Sequence, residues 1–160
     1  MVFRRILLST DFSEASEAAY PWAARLAQLG KGVVVLTHVL EDDLVASAPI
    51  FAHYVEPGAL DLGVYRQEFR RGAEKALAEA ADKVRSLGAE VETHLLEGNK
   101  PSHVLVEAAT ELECSVIVLA THGRSGLAHV LLGSTAEKVV RMARVPVLTV
   151  HEGDVPDLEE

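Results

Sequence analysis

Glycine and hydroxyl residues gather late in this chain, in the stretch LATHGRSGLAHVLLGST at residues 119–135. Gly123, Gly126 and Gly133 punctuate it, and Ser134 and Thr135 follow the last glycine directly. Such a stretch suits an anion. Glycine lets backbone N–H groups come close to a phosphate, and a helix that starts there adds unpaired donors and a partial positive charge. Arg124 adds a full charge, and Ser134 and Thr135 can either cap the helix or offer hydroxyls to phosphate oxygens. The same residues also suit a plain strand-to-helix loop with a Ser/Thr cap, and spacing alone leaves both readings open.

A second chemical residue, Asp11, ends an apolar run in STDFS (9–13). A carboxylate there fits a phospho-acceptor, a metal ligand or a loop cap. A phospho-acceptor receiver domain needs another acid beside it and a lysine ending the fifth strand, where this chain has Val150-His151. Other fingerprints fail as well. No lysine follows Gly133, as a Walker loop requires, and the loop after the first strand has no glycine for a dinucleotide G-x-G-x-x-G. His122 and His129 stand in no metal-ligand spacing. His38 and His94 fall in strands, where packing or a hydrogen bond explains them. Cys114 has no neighbouring base and reads as a small semi-buried residue. Trp22 sits at core spacing on a helix, and Lys100 reads as a solvated loop lysine.

These residues need a scaffold, and hydrophobic periodicity supplies it. Strand-length apolar runs occupy 4–10, 32–39, 89–97, 115–121 and 145–150. Helical spacing joins Ala15 to Leu26, with Ser13 as N-cap and Pro21 set to kink or loosen one turn. It recurs over 73–87, starting as early as Val64 and stopping at Gly88, then over Val104–Leu112 and Ala136–Ala143. Alternating strands and helices imply an open five-stranded parallel sheet with helices on both faces. Strand three has one wet face (Glu90, Glu92, His94) and strand five carries Pro146, so both belong at edges. That gives order 3-2-1-4-5. Its reversal lies between strands one and four, where open α/β sheets bind ligands. Topology and glycine placement therefore converge on STDFS and the 119–135 stretch.

The chain of 160 residues suits one domain, 1–151, with an irregular insert at 41–63 and an acidic, frayed tail at 152–160. Its net charge of −9 argues against nucleic acid or a membrane surface as partner. No transmembrane run or signal peptide is evident, and one cysteine fits a reducing compartment, so a cytoplasmic protein is expected.

Two segments carry a family resemblance. ILLSTDFSEASEAA after a basic N-terminus, and VIVLATHGRSGLAHVLLGSTAEKVVRMARVPVLTV, resemble the opening and closing third of universal stress proteins, specifically their ATP-binding branch. That branch carries G-x-x-G-x(9)-G-[S/T]. Gly123, nine residues, and Gly133-Ser134 match its last two elements, while Ala120 replaces the first glycine. The resemblance covers both ends and the strand pattern between them; residues 41–63 have no counterpart. It implies a Rossmann-like fold of the adenine nucleotide alpha hydrolase type, again with order 3-2-1-4-5, and a homodimer paired through strand five (145–150). Thr10 and Asp11 would lie beside adenine and ribose, and Val39 against adenine. Ala120, Thr121, His122 and Gly123 would follow the ribose and first phosphate, with Arg124 adding its charge there. Gly133, Ser134 and Thr135 would bind phosphates. Ser9 replaces a common proline. Ala120 is the departure that matters more: its methyl would crowd the ribose, strain the backbone if that position needs a positive φ, or be harmless as the smallest step up from glycine.

What the resemblance implies is a dimeric stress-response sensor or regulator that binds ATP, ADP or AMP, with Mg²⁺ or Mn²⁺ carried by the phosphates. An efficient ATPase is not expected without a Walker lysine or an evident base. The alternatives are an interaction module whose pocket Ala120 closes, and a slow hydrolase using Asp11 or His122.

Overall fold

The computed structural model describes residues 3–41, 62–121 and 132–156. In chain order the described elements are β1 (Arg5–Ser9), α1 (Glu14–Glu17), α2 (Ala19–Gly30), β2 (Val33–Leu40), α3 (Leu62–Ser86), β3 (Glu90–Glu97), α4 (Pro101–Glu111), β4 (Val116–Ala120), α5 (Ser134–Met142) and β5 (Val147–Val150). All strands are parallel in the order β3-β2-β1-β4-β5. The expected order and edges are thus observed.

Strand alternation sends successive side chains to opposite faces and builds two cores. Ile6, Leu8, Val34, Leu36, Val116 and Val118 pack with α2 and α3 on one face. Leu7, Val35, Ile117 and Leu119 pack with α4 and α5 on the other. β1, β2 and β4 are covered on both faces, which is why their sequences read as continuous apolar runs. At the opposite end from the carboxyl edge, Gly30 and Gly32 let the α2–β2 turn pass against the backbone of Phe3 and Arg4; a Cβ at either would collide with those carbonyls.

The single helix expected over 15–26 is divided. α1 ends at Glu17 and α2 starts at Ala19, so Ala18 sits at the break. Pro21 explains it: the ring removes the N–H that would bond to Glu17 and clashes with that carbonyl, whereas the first turn of a new helix tolerates proline. Ser13 is the N-cap, its hydroxyl accepting from Ser16 N–H. α3 begins earlier than its core face requires, at Leu62, and Gly88 (φ 85°) closes its C-terminal turn. In the described part of the tail, Asp154 N–H donates to His151 O at 3.1 Å, and Gly153 takes φ 92° in this turn. Among the described residues, no helix is long and apolar enough to cross a membrane.

Candidate functional site

The carboxyl ends of β1, β2 and β4 and the start of α5 surround a cleft of about 350 Å³. It lies at the reversal of strand order. Of the residues singled out from sequence, the cleft gathers Asp11, Val39, Ala120, Thr121, Gly133, Ser134 and Thr135. His122, Gly123 and Arg124 lie outside the described residues, as do Gly126, His129 and most of the 41–63 insert. Lys100 is exposed and does not line the cleft.

Thr10 stands one layer behind. It is buried, and its hydroxyl organises the loop that presents Asp11. Proton counting gives the direction of this network. Ser16 Oγ donates to Ser13 O at 2.8 Å, so it accepts from Thr10 Oγ1 at 3.0 Å. The Thr10 hydroxyl hydrogen is then used, and Tyr20 must donate to Thr10 Oγ1 at 2.7 Å. Phe12 N–H donates to the same oxygen at 3.0 Å. Burial raises the Tyr20 phenol pKa, so Tyr20 keeps its proton and remains a donor.

This network holds a strained backbone. Phe12 has φ 65°, a costly angle for a bulky residue, and its ring lies 4.2 Å from that of His38. His38 is buried, and its Nδ1 donates to Thr10 O at 2.8 Å; since a carbonyl only accepts, Nδ1 carries the proton. Asp11 Oδ1 accepts from both Ser13 N–H (3.0 Å) and Ser13 Oγ (2.5 Å), which fixes the carboxylate at the lip of the cleft.

The start of α5 also lines the cleft. Gly133 N–H donates to Thr121 O at 2.6 Å, which ties the α5 start to the end of β4. Gly133 is the N-cap, with φ −65° and no side-chain cap bond. Ser134 and Thr135 are therefore the first helical residues and do not cap the helix. The N–H groups of Ser134, Thr135 and Ala136 have no hydrogen bond to a described residue. These are the orphan donors of a helix N-terminus, and they open on the cleft.

Ala120 is a β4 residue registered against Val150, and its φ is not positive. The backbone-strain objection to alanine at this position therefore falls; only its methyl remains as a difference from glycine.

Sequence reasoning did not place His38, Leu40, Glu41, Pro101, Leu105 or Leu119 in the site, yet all line it. His38, Leu40 and Glu41 flank Val39 at the end of β2, and that proximity was the available signal. The walls from α4 depend on helix packing, which has no local signature. Cys114 is buried away from the cleft, and burial pushes its thiol up to about 11, so it is no nucleophile.

The family model for the universal stress protein family matches residues 2–151. The chain is 30% identical to universal stress protein YxiE of Bacillus subtilis, over 94% of this chain and all (100%) of that protein. It is 27% identical to universal stress protein MJ0577 of Methanocaldococcus jannaschii, over 94% of this chain and 96% of that one. The MJ0577 structure superposes with a TM-score of 0.78 over 96% of this chain and 99% of that chain, at 24% identity. The universal stress protein of Archaeoglobus fulgidus, solved in complex with dAMP, matches at TM-score 0.66 and 26% identity, over 94% and 99% of the two chains. A universal stress protein solved with cAMP matches at 0.65 and 26%, over 94% and 98%. With its sheet order, its cleft and these likenesses in agreement, the chain belongs to the universal stress protein family.

Proposed function

We propose that this protein binds an adenine nucleotide, ATP or its di- and monophosphates, in the cleft between β1 and β4, as a member of the ATP-binding branch. One observation carries the reading: a single cleft is lined both by α5 N–H groups that have no partner among the described residues and by apolar side chains. Ser134, Thr135 and Ala136 suit phosphate oxygens. Val39, Leu40, Leu105 and Leu119 offer apolar surface to a purine. Asp11 lines the same cleft and offers an acceptor to ribose hydroxyls. The dAMP and cAMP complexes of family members support the same ligand class. His122, Gly123 and Arg124 belong to this site by family likeness.

Asp11 and Glu41 are the carboxylates lining the cleft, and no cluster of three potential metal ligands occurs among the described residues. A Mg²⁺ or Mn²⁺ ion would then arrive on the phosphates and neutralise their charge. The protein's own groups bind and orient; the described cleft presents no lysine to a γ-phosphate, which favours sensing or regulation over fast hydrolysis. Pairing of β5 edges (145–150) across a two-fold axis would give a homodimer, because β5 is a sheet edge that pairs only with β4 among the described strands.

The test is calorimetric titration of nucleotide-stripped protein with Mg-ATP, AMP and GTP, with Gly133→Val as control. Micromolar, adenine-selective binding lost in the control is expected. A folded protein that binds none of the three would overturn the reading. Sedimentation tests the dimer separately.

A further inference from the structure

We infer that His151, which does not line the cleft, is a positioning residue for the phosphate end of the site; this rests on the nucleotide reading above. Thr121 is buried to 1% exposure and lines the cleft where β4 ends. Three contacts to described residues help to hold it. Its N–H donates to Val150 O at 2.8 Å, its carbonyl accepts Gly133 N–H at 2.6 Å, and its Oγ1 lies 3.1 Å from His151 Nδ1. Thr121 O is thus the anchor of the helix whose first N–H groups face the anion. His151 fixes the side chain of that same residue from outside the cleft.

His151 is itself held. Its N–H donates to Asp154 Oδ2 at 3.1 Å, and its carbonyl accepts Asp154 N–H at 3.1 Å. Asp154 O in turn accepts from Trp22 Nε1 at 3.3 Å on α2. A hydrogen-bonded chain therefore runs from the α2 surface through the 151–154 turn to Thr121 and on to Gly133. Without the imidazole, Thr121 Oγ1 loses this partner, and the β4 end and α5 start lose one constraint. Preorganised donors lose affinity when the shell behind them loosens. The loss should fall on the phosphates and spare the nucleoside, because the Thr121–Gly133 tie lies at the helix end of the cleft.

The experiment compares wild type, His151→Leu and His151→Asn for binding of Mg-ATP and of adenosine, with thermal melts as a folding control. An Asn amide nitrogen reaches about the position of His Nδ1. His151→Leu should weaken ATP by about fivefold, the worth of one net hydrogen bond, and leave adenosine unchanged. His151→Asn should restore most of the loss. Thr121→Val supplies a second measurement: in that background His151→Leu should have little further effect. Equal ATP affinity in His151→Leu, equal losses for ATP and adenosine, or additive effects with Thr121→Val would each overturn the inference. Wild type that binds no ATP would instead overturn the nucleotide reading itself.

Discussion

Thr10→Val is the sharpest test of how the site loop is held. Valine keeps the shape and removes one oxygen. That oxygen accepts from Tyr20 OH and Phe12 N–H and donates to Ser16 Oγ. Ser16 keeps Ser13 O as its acceptor. Tyr20, at 3% exposure, loses its acceptor in a place water does not reach, and Phe12 N–H loses its partner. Two orphaned donors at about 1–3 kcal/mol each give a loss of about 2–6 kcal/mol. Against a typical stability of about 5–15 kcal/mol that is severe. It corresponds to a drop in Tm of about 4–24 °C for a chain of this size. Urea unfolding measures it directly. Thr10→Ser should retain most of the stability. Tyr20→Phe should cost less in the Thr10→Val background than in wild type, because the two remove the same bond. Phe12 should also relax from φ 65°, freeing Asp11 and weakening ATP. A Thr10→Val protein within about 0.5 kcal/mol of wild type would refute the proton assignment and the proposed role of the network.

Other outcomes follow from single residues. Ala120→Gly should cost about 0.5–1 kcal/mol of stability, since Ala120 is an ordinary strand residue. It should change ATP affinity by no more than about fourfold, the worth of one methyl-sized group, as titration would show. Arg5 donates two bonds to Glu92, which hold its carboxyl below the usual value of 4.5. The contribution is present above pH 4.5 and is lost as pH falls through the lowered folded value. Because the Glu92 side chain is 45% exposed, Glu92→Gln should cost less than about 1 kcal/mol at neutral pH, and urea unfolding in acid should erase the difference. Cys114, with its thiol at about 11, should resist thiol reagents at pH 8 until urea unfolds the chain.

The architecture was legible because sheet position leaves a mark on each strand separately. β1, β2 and β4 are apolar throughout because helices cover both faces; β3 alternates because one face is wet; Pro146 gives up an N–H at the start of the edge strand β5. Order 3-2-1-4-5 follows from those three marks, and the order locates the cleft. Pro21 likewise announced the break at Ala18, though not that two helices would result. What stayed hidden depends on contacts between segments. Thr10 and Asp11 are neighbours, and nothing local tells which enters the cleft; Tyr20 and Ser16 decide it by taking the Thr10 hydroxyl inward. Ser134 and Thr135 look like caps in sequence, but Gly133 takes the N-cap place because Thr121 holds its N–H. His151 ends the expected domain with no local sign of a role; the pairing of β4 with β5 sets it beside Thr121, and the Asp154 turn holds it there. Local rules therefore find where a nucleotide would go. Hydrogen-bonded contacts between distant segments set how firmly each donor is aimed at it, and they are where single substitutions should separate phosphate binding from folding.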